Sequence, residues 1–325
     1  MPSIPAITRI KPPALRPGDT IGIIAPASNI KRELLDAGCA ALENLGYKPF
    51  YFDSILDQDL YFAGTVERRA RELEEMFQRD EVKAIVCARG GYGANYLLNR
   101  MDLKKILAHP KIFMGYSDIT SLLTYFTNAG LVTFHGPMVT KDFALPDGYD
   151  RPAWESAVTG TACWPIGLNS EVEALTEGSA EGILYGGCLS MLAASLGTPY
   201  EIHTDDAILF IEDVAAKPYQ IDRMLMHLKL AGKFDQVRGL IFGEMLDCVQ
   251  NQSQGYSLQQ VILRIVGDLG VPLVYGVRSG HVSQKNITLP FGVRASLSVT
   301  RSAVQLRILE AASVPAAISS QSMKV

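Results

Sequence analysis

Residues 112–128 read IFMGYSDITSLLTYFTN. Apolar residues suited to a buried strand (Ile112–Met114) lead into the turn Gly115-Tyr116-Ser117-Asp118. Apolar residues then recur at helical spacing over Ile119–Asn128. Strand, glycine-containing turn and helix make up half a crossover unit, and repeated right-handed crossovers build a parallel sheet. The same signature lies upstream. Val82–Ala88 is a strand that ends in Arg89-Gly90-Gly91-Tyr92-Gly93. Thr20–Ala25 (TIGIIA) is another, followed by a helix with Leu34, Leu35, Ala41, Leu42 and Leu45 turned inward until Gly46. Asn29 or Ser28 is placed to cap that helix. Tyr47–Phe52 adds a strand, and Glu67–Phe77 a charged helix with Leu73, Met76 and Phe77 facing in. In such an α/β chain a ligand lies at the carboxyl ends of the strands, where both glycine-rich turns fall.

Downstream the rhythm lapses from Lys141 to Ser179, where Pro146, Asp147-Gly148, Pro152, Pro165 and Gly167 read as a connection. It resumes with Ile183–Tyr185, Gly186-Gly187, the helix Leu189–Leu196, the strand Ile208–Ile211 and the helix Gln220–Leu230. The strand Gly239–Phe242, the helix Leu258–Leu269 and a short strand near Val274 follow. The loop Ser279-Gly280-His281 precedes a hairpin of Ala295–Thr300 with Val304–Leu309. The expected organisation is an N-terminal domain over 1–140, a connecting segment over 141–179, a C-terminal domain over 180–310 and a loose tail over 311–325. No repeat of fixed period suggests a solenoid or propeller.

With 325 residues the chain exceeds one ordinary core and suits two domains or one large α/β unit. Hydrophobic residues at 48% against 20% charged ones exclude a disordered or fibrous chain. A net charge of −4 without any Lys/Arg cluster speaks against a nucleic-acid partner. The proline-punctuated start MPSIPAITRIKPPALRPGD lacks a signal-peptide core, and no run approaches the ~18 apolar residues that span a bilayer, so a cytoplasmic, membrane-free protein is expected. The five cysteines are scattered and form no CxxC pair, which disfavours structural zinc and a disulfide framework; Cys87 and Cys188 read as core.

Serine is a poor nucleophile until a base takes its proton and the fold exposes its oxygen. A strand–turn–helix junction does the second job for Ser117, and the backbone N–H of Asp118 is placed to receive an oxyanion. The plain alternative is that Ser117 or Asp118 caps the helix. Of the five histidines, His109, His135, His203 and His227 read as surface or satisfied core. His281 stands apart because Gly280 before it allows close approach. An orienting carboxylate belongs at the end of a buried strand, which the acid pair Glu212-Asp213 after Ile208–Ile211 supplies; alternation turns only one of the two toward the site. Gly90-Gly91 offers a backbone that a ligand can approach and a second oxyanion donor. Neither G-x-G-x-x-G nor a P-loop lysine is present, so a nucleotide is not indicated.

Seven motifs, in order, carry a resemblance: GDTIGIIAPAS (18–28), ARGGYGANYLL (88–98), FMGYSDIT (113–120), HGPM (135–138), GGCLSML (186–192), LFIEDV (209–214) and SGH (279–281). Through them the chain resembles the LD-carboxypeptidase, or muramoyltetrapeptide carboxypeptidase, family of serine peptidases, which also includes microcin-immunity-type peptidases. The resemblance implies a Ser117–Glu212–His281 triad, an oxyanion hole near Gly91 and Asp118, no metal and no cofactor. It also implies a flavodoxin-like parallel-sheet N-terminal domain with a smaller α/β C-terminal domain, often as a homodimer. The implied substrate is a cytoplasmic murein peptide that loses its terminal D-Ala during cell-wall recycling. Arg89 and Gly90 are the candidates for substrate binding, with Arg89 gripping a carboxylate; the alternative for Arg89 is an interface salt bridge. Two rival readings remain: an immunity-type hydrolase of peptidyl or aminoacyl nucleotide analogues, and a non-catalytic small-molecule binder.

Overall fold

Five short strands feed the first sheet of the computed structural model, which describes residues 9–249 and 255–315. They are β1 (Thr20–Ile24), β2 (Lys48–Phe50), β3 (Val82–Cys87), β4 (Ile112–Gly115) and β5 (Thr133–His135). All pair in parallel in the order β2-β1-β3-β4-β5, the flavodoxin-like order. Between them run α1 (Arg32–Asn44), α2 (Val66–Gln78), α3 (Leu103–Ala108) and α4 (Thr120–Asn128). β1, β3, β4 and β5 are buried along almost their whole length, as parallel strands covered on both faces must be, whereas the edge strand β2 is partly exposed.

The stretch 141–179, expected to be irregular, carries α5 (Arg151–Val158) and two edge strands, β6 (Trp164–Pro165) and β7 (Glu173–Thr176). Asp150 caps α5 by accepting from Ala153 N at 2.9 Å, and Pro152 sits in its first turn where no N–H is needed. The second sheet is completed by β8 (Gly178–Cys188), β9 (Ala207–Glu212), β10 (Gly239–Gly243), β11 (Leu273–Val277) and the expected hairpin, here β13 (Val293–Val299) and β14 (Val304–Ile308). Its order is β6-β14-β13-β8-β9-β10-β11-β7, parallel from β8 to β11 and antiparallel outside. Helices α6 (Leu189–Ser195), α7 (Pro218–Leu230) and α8 (Leu258–Val266) connect these strands.

One strand crosses between the halves. β12 (Leu289–Phe291) pairs antiparallel with β5 and so belongs to the first sheet, although it follows β11 of the second. This brings the loop after β11 over the carboxyl ends of β4 and β5. The first residues of the expected tail are packed instead: Ala312 and Ser313 are buried and Val314 N donates to Pro12 O at 2.9 Å. The rest of the expected tail lies outside the described residues. Among the described residues no helix is long and apolar enough to cross a membrane.

Candidate active site

At the end of β4 the chain turns sharply. Ser117 has φ +64°, a left-handed conformation that costs a non-glycine residue of order 1 kcal/mol. It opens one turn of 3-10 helix (Ser117–Ile119) that runs into α4, and the N-cap position falls on Tyr116, not on Ser117. Asp118 does not cap its own helix either. Its Oδ2 accepts from Ala94 N at 2.7 Å and so ties the serine turn to the glycine-rich turn after β3. Burial pushes the Asp118 carboxyl up to about 6, against that hydrogen bond and the charge of Arg69. The glycine-rich turn is clamped from other sides as well. Ser28 N donates to Gly90 O at 3.3 Å, and Ser28 Oγ accepts from Tyr92 N at 3.1 Å. The expected cap on α1 is therefore absent; Lys31 holds the N-cap position without a side-chain bond. Buried Arg69 donates to Pro26 O and Gly93 O at 2.7 and 2.8 Å. A Cβ on Gly90 would stand 2.8 Å from Ser117 Cβ and 3.2 Å from Asp118 N. Only glycine leaves the space in front of the serine open.

The carboxylate comes from the second sheet. Glu212 ends β9 and is fully buried, and its Oε2 accepts from both Nδ1 (2.8 Å) and the backbone N (3.0 Å) of His281. Asp213 turns the other way and accepts from Ser190 N, in the first turn of α6, and from Val214 N, each at 2.8 Å. Burial raises the Glu212 carboxyl, but the adjoining imidazoles, above all the hydrogen-bonded one of His281, outweigh it and hold the group well below the usual range. An ionised carboxylate only accepts, so Nδ1 of His281 carries its proton and Nε2 is left with a lone pair. The second imidazole, His135, ends β5; its Nε2 lies 3.8 Å from Glu212 Oε1 and its Nδ1 2.9 Å from Ser279 Oγ. Complete burial lowers its pKa, so His135 is neutral. From the sequence it reads, with three other histidines, as surface or satisfied core, and only its packing against Phe210 of β9 reveals its place beside Glu212.

Ser117 and His281 open into one cavity of about 360 Å³ together with Arg89, Gly90, Gly91 and Tyr116. The Tyr116 ring meets the imidazole of His281 edge-on, with centroids 5.2 Å apart. Lys31 and Lys141 line the same cavity, which no acid among the described residues lines. Arg89, read alternatively as an interface salt bridge, makes among the described residues only a long contact to Asn29 O at 3.4 Å. Two larger hollows, of about 650 and 1270 Å³, contain serines but no histidine. Cys188 adds a third donor near the acid–imidazole pair: ligand atoms of Cys188, Glu212 and His281 lie within 4.8 Å of one another, a grouping that local spacing conceals. Burial pushes the Cys188 thiol well up, which disfavours the thiolate a metal needs.

The sequence profile of the LD-carboxypeptidase N-terminal domain matches residues 21–136, and that of the LD-carboxypeptidase C-terminal domain matches 181–297. The chain is 42% identical over 300 residues to a probable murein peptide carboxypeptidase of Bacillus subtilis, covering 89% of this chain and 91% of that protein. It is 28% identical over 316 residues to the microcin C7 self-immunity protein MccF of Escherichia coli, covering 86% and 90%. The crystal structure of muramoyltetrapeptide carboxypeptidase from Oxalobacter formigenes superposes with a TM-score of 0.79 at 29% identity, over 90% of this chain and 99% of that one.

Proposed function

The chain belongs to the LD-carboxypeptidase family, and on that premise we propose that it releases the terminal D-Ala from murein tetrapeptides by an acyl-enzyme route. Ser117 is the nucleophile, His281 the base and Glu212 the group that orients it. The observation that carries this reading is the doubly hydrogen-bonded Glu212–His281 pair opening onto the cavity of Ser117.

Ser117 Oγ attacks the carbonyl carbon before D-Ala while its proton passes to Nε2 of His281. The tetrahedral oxyanion faces the N–H groups of Gly91 and Asp118. On collapse the C–N bond breaks, His281 returns the proton to the departing amine, and water then hydrolyses the ester with the same imidazole as base. Glu212 fixes the tautomer throughout and stabilises the imidazolium. Three cations without a lining acid (Lys31, Arg89 and Lys141) suit a substrate that ends in a carboxylate, which supports a carboxypeptidase. We extend the reading to a homodimer acting in the cytoplasm during peptidoglycan recycling; light scattering and cell fractionation test those two parts.

A fluorophosphonate probe should label Ser117, and no label there would sink the serine mechanism and leave a non-catalytic binder. Competing turnover of murein tetrapeptide and an aminoacyl-sulfamoyl adenylate separates this substrate from that of an immunity-type hydrolase. Preference for the adenylate would refute the murein assignment.

A further inference from the structure

Asp142 sits on a single π-helical turn (Val139–Phe143), is buried, and lines no part of the nucleophile cavity. A buried carboxylate is costly unless donors surround it. Three segments supply them. Met138 N donates to Oδ2 at 2.8 Å, Asn286 Nδ2 to Oδ1 at 3.2 Å, and Tyr116 OH to Oδ1 at 3.4 Å. The first closes the turn itself; the other two reach the two halves of the site. Tyr116 precedes Ser117, and its ring is the one packed against His281. Asn286 Oδ1 accepts from Gly280 N, next to His281, at 2.9 Å. The amide has one consistent orientation, since Gly280 N–H needs an oxygen and Asp142 needs a donor.

Strand ladders bring the two loops near each other but stop short of both: β4 ends at Gly115, and β12 begins at Leu289. We propose that Asp142 is a positioning residue that sets the separation of Ser117 and His281, gripping Tyr116 on one side and, through Asn286, the Gly280–His281 loop on the other. The proposal rests on the serine–histidine reading above. Small errors in that separation are expensive, because a misplacement of about 1 Å costs on the order of 10²-fold in rate.

The test is a swap of donor and acceptor. Asp142→Asn turns an NH₂ group against the amide of Asn286, and Asn286→Asp faces one carboxylate with another. Combined, the introduced amide at 142 donates to the introduced carboxylate at 286, which still accepts from Gly280. The readouts are the rate constant for fluorophosphonate labelling per titratable serine, and kcat and KM on murein tetrapeptide. Counting only active serine removes any loss from misfolding. Each single change should slow labelling and kcat by about 10- to 100-fold with KM nearly constant. The double variant should recover most of the loss, giving a coupling that a generally weakened fold would not show. Single variants within about twofold of wild type, or a double variant no faster than the slower single, overturn the proposal. Wild-type protein that takes no label at Ser117 instead removes the reading on which the proposal stands, and the proposal falls with it.

Discussion

Gly280→Ala puts the greatest strain on the arrangement for the smallest chemical change. Gly280 has φ +91°, where an alanine is disfavoured by about 1–2 kcal/mol. Its Cβ would meet Glu212 Cδ at 2.6 Å, Glu212 Oε2 at 2.8 Å and His135 Cε1 at 2.8 Å, whereas ordinary contact begins at 3.4 Å. The obstacle is a buried carboxylate held by hydrogen bonds, not the free end of a flexible chain. Relieving the closest contact requires a shift of roughly 0.8 Å, and overpacking of this kind costs about 1–3 kcal/mol. The same shift stretches the 2.8 Å bond from His281 Nδ1 to about 3.6 Å, beyond hydrogen-bonding range. The imidazole then loses its fixed tautomer as well as its placement. The expected loss in kcat/KM is about 10²-fold or more, with thermal unfolding moved down by several degrees for a destabilisation of about 2–5 kcal/mol. Steady-state kinetics on murein tetrapeptide beside a melting curve measures both. A folded Gly280→Ala protein with wild-type kcat/KM would refute the claim that the backbone at 280 must lie against Glu212.

Ser117→Ala should reduce kcat by at least about 10³-fold while leaving the melting temperature near wild type, since alanine meets the same left-handed backbone and the loss of one oxygen opens no large cavity; retained turnover would refute the nucleophile. Glu212→Gln should cost about 10⁴-fold by admitting the wrong tautomer, whereas Asp213→Asn should weaken the start of α6 by no more than about 1 kcal/mol and leave the rate almost unchanged. The opposite ranking in a rate assay would show the wrong acid was assigned. Dialysis against a chelator should leave the rate unchanged; a loss restored by metal would turn attention to Cys188, Glu212 and His281. Asp118 and Asp142 are each raised to about 6 from an ordinary 3.8, so the folded state holds their protons more tightly than the unfolded chain does. Their share of stability is therefore greatest in acid and declines as pH rises from about 4 to 6. Asp118→Asn, which keeps an oxygen for Ala94, should make the slope of melting temperature against pH more positive in that window than in wild type; an unchanged slope would refute the shift.

What the sequence shows of this site, and what it hides, follows the reach of the interactions. The serine turn, the glycine-rich turn and the buried strand ending in Glu212 are each written within a dozen residues, because a strand that stops at a sharp turn has a local signature. Resemblance, not spacing, singled out Glu212 over Asp213, and the structure gives the reason: Asp213 is occupied by α6 while Glu212 receives His281. Helix α5 had its own local signal in Asp150 and Pro152, but the surrounding prolines and glycines suggested a connection instead. Other features have no local trace at all. β12 is three residues with a proline at its centre, tolerable because it lies at the edge of its sheet, and nothing in Leu-Pro-Phe announces a partner in the first half of the chain. Yet that pairing carries His281 to Ser117. His135 meets Ser279, and Asp142 meets Asn286, each across 144 positions of sequence, so their roles exist only once β12 has docked on β5. The serine turn and the buried carboxylate are thus consequences of local folding on two separate sheets. The meeting of Ser117 and His281 in one cavity is a consequence of their union, and the residues proposed to adjust it lie along that seam.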